Sequence, residues 1–411
     1  MLRVLSRTLA LMPLQSRTPV GRLLFIFFAS IAVFAQSPAK PPLENISLVK
    51  DAAQAFAAGD SKRAESELNT VLATEPNEFH ALNLLGIIRA QQRREPEAET
   101  LLKRAIEIKP DFASAHVSLG MLYVQIAKPD DAIPQFQQAL RLDPERTDAR
   151  SSLVNVWRDR AHAVAAQDPE KALALLIQAR KADPKDADVQ YDFGMVALRM
   201  SLLPDAKHAF QQALSLRKDD ATALYGLGRT EMALAEYEDA QATFRRYCEL
   251  RPGDASGHYA LGVTLAALQR WGDARSQFER SIEIQPAQTE SYFQIGRIDL
   301  EAGDLPAAEA QFTRVLKRDP HHAGALAGMG RARFQQKDYA PAADFLQKAI
   351  AADASLREAH YYLGMTYARM NRKEDSEKEQ EIATRLEHEE VEKHRNGLKI
   401  IDSDQVSGEQ K

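Results

Sequence analysis

Glycine returns at a fixed interval through most of this chain: Gly86 and Gly120, then Gly194, Gly228, Gly262, Gly296, Gly330 and Gly364. The step is 34 residues, apart from one gap of 74 that holds one ordinary period and one of 40. A period of this length is the mark of a stacked array, in which each unit buries its apolar face only against its neighbours. Alanine stands twelve residues after most of these glycines (Ala98, Ala132, Ala206, Ala240, Ala274, Ala308, Ala342), and Ser376 takes its place in the last unit. Four residues further on comes Leu102, Phe136, Phe210, Phe244, Phe278, Phe312 or Leu346, and proline often closes the unit, as at Pro110, Pro144, Pro252, Pro286 and Pro320.

Glycine inside a helix costs about 1 kcal/mol relative to alanine, so its return signals a place where a side chain does not fit. The expected reason is a crossing of two helices, with the alanine as the matching small residue and the Phe or Leu filling the space beside it. Proline suits helix starts and ends but not interiors, so Asp143-Pro144, Asp183-Pro184 and Asp319-Pro320 mark turns between units. Each unit therefore reads as helix, turn, helix. The frame gives units 45–78, 79–112, 113–146, 147–186, 187–220, 221–254, 255–288, 289–322, 323–356 and 357–390, the fourth being six residues longer than the rest. Residues 36–44 form a linker before the array, and 391–411 a charged helix end with a disordered tail from Ile400.

The unit at 113–146 carries Leu119, Gly120, Tyr123, Ala132, Phe136, Ala139 and Pro144, and over 34 positions this pattern resembles the tetratricopeptide repeat family. The resemblance implies an all-α, right-handed superhelical solenoid of about ten antiparallel helix pairs. It further implies a concave groove lined by the first helix of each pair, a binding architecture with no cofactor. Departures are local: Lys218 and Ala354 replace the closing proline, and Ala52 stands where the first unit should have glycine.

By that resemblance, position 5 of each first helix faces the groove. It is aromatic in Tyr191, Tyr225, Tyr259, Phe293 and Tyr361, with Ala327 interrupting, and position 9 supplies Arg229, Arg297 and Arg331. A tyrosine and arginine surface has the composition of a protein-binding hot spot, and the arginines favour a partner with acidic, carboxylate-bearing segments. The competing explanation is that tyrosine at position 5 serves packing within the repeat. Two groove types known in the family are missing their residues. The chaperone-binding clamp needs Lys and Asn where Asn83 stands alone, followed by Ile87 and Ser118; the asparagine ladder of glycosyltransferase-linked arrays needs Asn where Leu84, Ser118, Asp192, Gly226, Ala260, Gln294 and Gly328 stand.

The amino end has a different character. Residues 1–43 hold no acidic residue, four arginines (Arg3, Arg7, Arg17, Arg22) and the unbroken apolar run from Leu23 to Ala35. This is the layout of an export signal cleaved after Ala35, since the run falls short of the 17–25 residues that span a bilayer. An uncleaved anchor is the alternative, and only then would the chain meet the membrane. A transit peptide would need a polar face that the run lacks. Cleavage takes the net charge from −5 to −9, which disfavours nucleic acid. A single cysteine excludes an intrachain disulfide and any cysteine-cluster metal site.

Signatures of catalysis are weak. Gly226 to Glu231 begins like a dinucleotide loop but lacks its third glycine and a preceding strand. His388 and His394 are six residues apart, too far to share a helix face as zinc ligands. Cys248 falls where other units carry Leu72, Ile106, Leu140 or Ile282, a core position at which a thiol acts as a small inert hydrophobe. Residues 371–395 include fifteen charged residues, with Ile382 and Leu386 among the few large apolar ones, and read as the polar cap an array needs. The expected function is a non-catalytic, exported scaffold or adaptor, periplasmic or secreted, that binds protein segments in its groove. The alternatives are an accessory subunit holding a catalytic partner, or a membrane-anchored envelope assembly factor.

Overall fold

The computed structural model describes the backbone of residues 43–406 and the side-chain surroundings of residues 45–389; the export segment expected at 1–35 and residues 407–411 lie outside the described residues. Among the described residues every regular element is helical, and the fold is an all-α superhelical tetratricopeptide-like one. The chain forms two compact units that divide after Ala233. The first contains α1 (Leu43–Ala57), α2 (Ser61–Thr74), α3 (Phe79–Gln91), α4 (Glu95–Ile108), α5 (Ala113–Gln125), α6 (Pro129–Leu142), α7 (Thr147–Val164), α8 (Pro169–Ala182), α9 (Ala187–Arg199), α10 (Leu203–Leu216) and α11 (Ala221–Ala233). The second contains α12 (Tyr237–Leu250), α13 (Ala255–Ala267), α14 (Trp271–Ile284), α15 (Thr289–Ala302), α16 (Leu305–Leu316), α17 (Ala323–Gln335), α18 (Tyr339–Ala352), α19 (Arg357–Arg369) and α20 (Lys373–Val406).

Within each unit a helix packs on its successor, and first helices also pack on first helices: α3 on α5 and α9 on α11 in one, α15 on α17 and α17 on α19 in the other. The recurrent glycine permits this, though by a different contact than its sequence spacing suggests. A Cβ placed on Gly120, Gly262 or Gly296 would lie 2.7 Å from the ring of Phe136, Phe278 or Phe312, while on Gly86 it would lie 2.8 Å from Leu102 Cγ. The glycine therefore seats the large residue sixteen positions on, and the alanine at plus twelve is not its nearest neighbour. Some rings are held from both sides. Phe210 lies against Gly194 of its own repeat and Gly226 of the next, where an added Cβ would be 2.9 and 2.5 Å away, and Phe312 lies likewise between Gly296 and Gly328. Changing Gly262 to Leu should overpack this contact and cost about 1–3 kcal/mol; a urea midpoint equal to the parent's would refute the seating of Phe278.

The turn inside every repeat but the long one has its own repeating geometry. Arg93, Ala127, Ser201, Ala235, Gln269, Lys337 and Asn371 all have φ near +60°, and Gly59 and Gly303 occupy the equivalent position. The next amide closes a six-residue ring, as in Lys128 N to Tyr123 O at 2.8 Å and Arg270 N to Leu265 O at 2.9 Å. These are Schellman helix ends, for which glycine is the unstrained residue. Gln269→Gly should therefore stabilise the protein by about 1 kcal/mol, the cost of a left-handed L-residue, and a lowered melting temperature would count against it. Between repeats the aspartates act as turn acceptors. The carboxylates of Asp143, Asp183 and Asp319 accept the amides of Glu145, Lys185 and His321 at 3.0–3.2 Å.

The long repeat places five of its six extra residues in α7, which has 18 residues against 13 in α9; the gain is about 7.5 Å of helix, less than the full insertion would give. Leu153, Trp157 and Ala161 are buried along its stripe, and Asp168 caps α8 by accepting the Lys171 amide at 2.9 Å. Two expectations at the ends need correction. Helix α1 begins at Leu43, inside the supposed linker, and the backbone of α20 stays helical to Val406, beyond Ile400 where disorder was expected. In the last repeat Ser376 replaces alanine and donates its hydroxyl to the Gly364 carbonyl at 2.8 Å, which satisfies a buried polar atom at that site.

Candidate functional site

The position-5 aromatics divide into packing residues and surface residues. In the second unit Tyr259 and Phe293 are each only 7% exposed, and their rings lie 5.8 and 6.2 Å from those of Phe278 and Phe312, the buried aromatics of their own repeats. Phe293 also meets the His322 ring at 4.9 Å. Both therefore belong to the core. Tyr361 is 46% exposed and stands edge-on to Tyr362 at 5.2 Å. In the first unit Tyr191 and Tyr225 are half-buried; Tyr191 reaches Phe210 at 6.0 Å but keeps part of its surface open. Burial, followed by the Asp192 and Asp220 carboxylates, pushes the Tyr191 phenol above its ordinary pKa, so its hydroxyl remains a donor.

The arginines divide as well. Arg331 is bound 2.7 Å from Glu301 and 3.3 Å from Glu358, which ties α15, α17 and α19 together. Burial works against its charge, but the hydrogen bond to Glu301 prevails and keeps it protonated. Arg331 was expected to await a partner's carboxylate; instead the array supplies two. Arg297 makes a long contact to Gln294 at 3.3 Å and lies 5.9 Å over the Phe293 ring. Arg229 forms no ion pair or hydrogen bond among the described residues. Burial lowers its pKa below the ordinary guanidinium value, against the opposing influence of Tyr225 and Tyr191.

Next to this face lies an ionic cluster that the repeat pattern does not announce. Asp192, 5% exposed on α9, accepts from Arg158 Nε at 2.7 Å and from His162 Nε2 at 3.0 Å. Both donors stand on α7, four residues apart and therefore on one helix face. Arg158 also approaches Asp188 at 3.6 Å, and Arg217 pairs with the same carboxylate. The elongated helix is thus fastened to the next first helix by charge. Its sequence signal was a cation pair on α7 about one repeat ahead of an aspartate at position 6. A second recurring lock comes from position 4. His116, His258 and His360 each bridge a Gln or Glu of their own repeat's second helix at 2.6–2.9 Å and a carbonyl of the preceding turn at 3.1–3.3 Å.

The tetratricopeptide repeat family models match residues 52–111, 293–356 and 113–146, and the model of the middle tetratricopeptide-like domain of cilia and flagella-associated protein 70 matches 159–283. The chain is a tetratricopeptide repeat protein. Among curated relatives, the protein O-mannosyl-transferase TMTC3 of Homo sapiens is 31% identical over 127 residues, and Tmtc3 of Drosophila melanogaster 26% over 153. These stretches cover 30% and 37% of this chain but only 14% and 16% of the relatives' own length. Similar solved structures include YrrB, described as a TPR protein with an unusual peptide-binding site: 27% identity, 45% of this chain, 95% of that one, TM-score 0.38. Another is the APC/C hetero-tetramer Cut9–Hcn1, with 13% identity, coverage of 84% and 94%, and TM-score 0.47.

In this tetratricopeptide protein Cys248 is buried on α12. Burial first, with Asp254 and Glu249 nearby, pushes its thiol up to about 12. The native thiol should therefore resist iodoacetamide at pH 8 and react fully once denatured, and Cys248→Ala should cost roughly 1 kcal/mol. Rapid alkylation of folded protein would contradict the burial. No group of three or more potential metal ligands occurs among the described residues, and no described helix is long and apolar enough to cross a membrane.

Proposed function

We propose that this tetratricopeptide repeat array is an exported scaffold that binds segments of other proteins on the surface of its first helices and contributes no chemistry of its own. One observation carries the proposal: in a molecule where most half-buried cations are matched internally, the α9–α11 face leaves Arg229 unmatched beside the partly open phenols of Tyr191 and Tyr225. Aromatic and arginine side chains of that kind provide contact area and hydrogen bonding to a protein partner at low entropic cost. The acidic-partner expectation narrows accordingly, because Arg331 is occupied and Tyr259 and Phe293 serve the core. The burial of Cys248, which holds its thiol in the protonated form, supports a binding role over a catalytic one. Export rests on the arginine-led apolar segment at 1–35, and with it a place in the cell envelope or outside it.

The test is affinity capture from envelope extract with residues 36–411, beside a variant in which Tyr191, Tyr225 and Arg229 are all alanine. Circular dichroism must first show equal helicity. Partners lost with the variant support the groove; identical partners with both proteins refute it. Amino-terminal sequencing of the mature protein should begin at Gln36, whereas retention of residues 1–35 would make it a membrane-anchored assembly factor. A second reading, an accessory module that holds a catalytic partner, is favoured by the 127-residue similarity to TMTC3. Glycosyl transfer activity accompanying the captured complex would support it.

A further inference from the structure

Taking the groove reading as its basis, the geometry points to a more specific occupant: we infer that the α9–α11 face binds a single carboxylate side chain carried in an otherwise apolar protein segment. Other arginines of the array are matched internally. Arg146 pairs with Asp148, Arg158 with Asp192, Arg331 with Glu301 and Glu358, and Arg333 with Glu309. Burial holds two arginines below their ordinary value, Arg180 and Arg229. Arg180 stacks on the Phe193 ring at 4.2 Å; Arg229 has neither a ring under it nor a carboxylate against it. A partly desolvated, unpaired guanidinium is costly, and a carboxylate is the acceptor that matches its fork.

The surroundings determine how much acid the site tolerates. Tyr191 and Tyr225 flank Arg229, and Met195 lies half-buried on α9 four residues after Tyr191. At position 6 of α11, Gly226 has no side chain, and the Phe210 ring closes the floor beneath it. This is an apolar seat around one cation. At its border stand Asp188, Asp192 and Asp220, already served by Arg158, His162 and Arg217. A run of acidic residues would meet those carboxylates, whereas one Asp or Glu between apolar neighbours would meet Arg229, the Tyr191 hydroxyl and the aromatic walls.

The test is selection of random twelve-residue displayed peptides on the mature chain, followed by fluorescence anisotropy with synthetic versions of the selected sequences. The expected selection is one Asp or Glu with apolar neighbours. Replacing that Glu by Gln should weaken binding at least about tenfold, as expected for loss of a charge-assisted hydrogen bond. Arg229→Met should abolish the Glu–Gln difference, while Arg245→Met, which removes an exposed charge on α12, should leave it. Because binding relieves an existing cost, Arg229→Met should also raise the melting temperature of the free protein. Selected peptides without an acid, or a Glu–Gln difference that survives Arg229→Met, overturn the inference. If such acid-indifferent peptides still lose affinity with Tyr191→Ala and Tyr225→Ala, the groove reading stands without it. Enrichment of polyacidic peptides overturns the single-carboxylate inference, and failure to enrich any sequence overturns both.

Discussion

Phe210→Ala should remove about 3–5 kcal/mol from the first unit, the upper range for loss of a buried aromatic. The ring is fully buried and is clasped between Gly194 and Gly226, so its loss opens a void that touches α9, α10 and α11 together. The two glycines offer no side chains to collapse into that space. Leu102→Ala, where a smaller side chain lies on Gly86, should cost less, about 2–4 kcal/mol. Repeat arrays lose stability locally, because each unit contacts only its neighbours. Hydrogen exchange should therefore show the Phe210→Ala loss concentrated in 187–233, with α1 to α4 nearly unaffected. A loss below about 1 kcal/mol would mean that the ring is not the wedge between these repeats.

Asp192→Ala should cost about 3 kcal/mol, because it leaves Arg158, only 14% exposed, and His162 facing a buried gap with no carboxylate between them. Arg158 retains Asp188 at 3.6 Å, which keeps the loss from being larger. The cluster also makes stability depend on pH. The hydrogen bond that His162 donates to Asp192 is the main reason that its folded pKa is raised, with burial acting against it. A raised folded value means that the histidine's contribution is complete below the unfolded pKa of about 6.5 and is lost as the pH climbs through the folded value. Urea midpoints of the parent should fall from about pH 6.5 upward. Asp192→Asn should flatten that fall, since the neutral amide no longer favours the imidazolium. Asp159 faces the same cluster, and burial pushes its carboxyl up. A pH profile identical in parent and Asp192→Asn would show that the pair is not coupled in solution.

Much of the fold was legible because one physical constraint was written repeatedly. A Cβ added to Gly120, Gly194, Gly262 or Gly296 would lie within 3 Å of an aromatic ring, so residue type is dictated by sterics and recurs with the period. The Asp-Pro turns were legible for a similar reason, since aspartate there accepts an amide two residues on. The left-handed residue inside the 34-residue repeats was not. Arg93, Ala127, Gln269 and Lys337 share a conformation but no chemistry, because the flanking helix packing and the six-residue hydrogen-bonded ring impose it without help from the side chain. Within the groove, the spacing that identified Tyr191 and Tyr225 also selected Tyr259 and Phe293, although the latter two are core. Position in the repeat sets the direction of a side chain, and the size of its neighbours decides whether it stays at the surface.

The periodic pattern of residues specifies the helix pairs, their register, the identity of the wedge residues and the interruption at 147–186. These depend on contacts that are the same in every repeat and therefore leave a periodic trace. Which charges pair inside the array depends instead on three-dimensional packing. Arg331 reaches Glu301 and Glu358, about thirty residues to either side, and Arg158 and His162 reach Asp192 across one repeat. Arg229 has the same position in its repeat as Arg331 but no such carboxylate. Long charged side chains pair according to distances between neighbouring helices, which a one-dimensional period does not encode, so equivalent arginines of different repeats end in different surroundings.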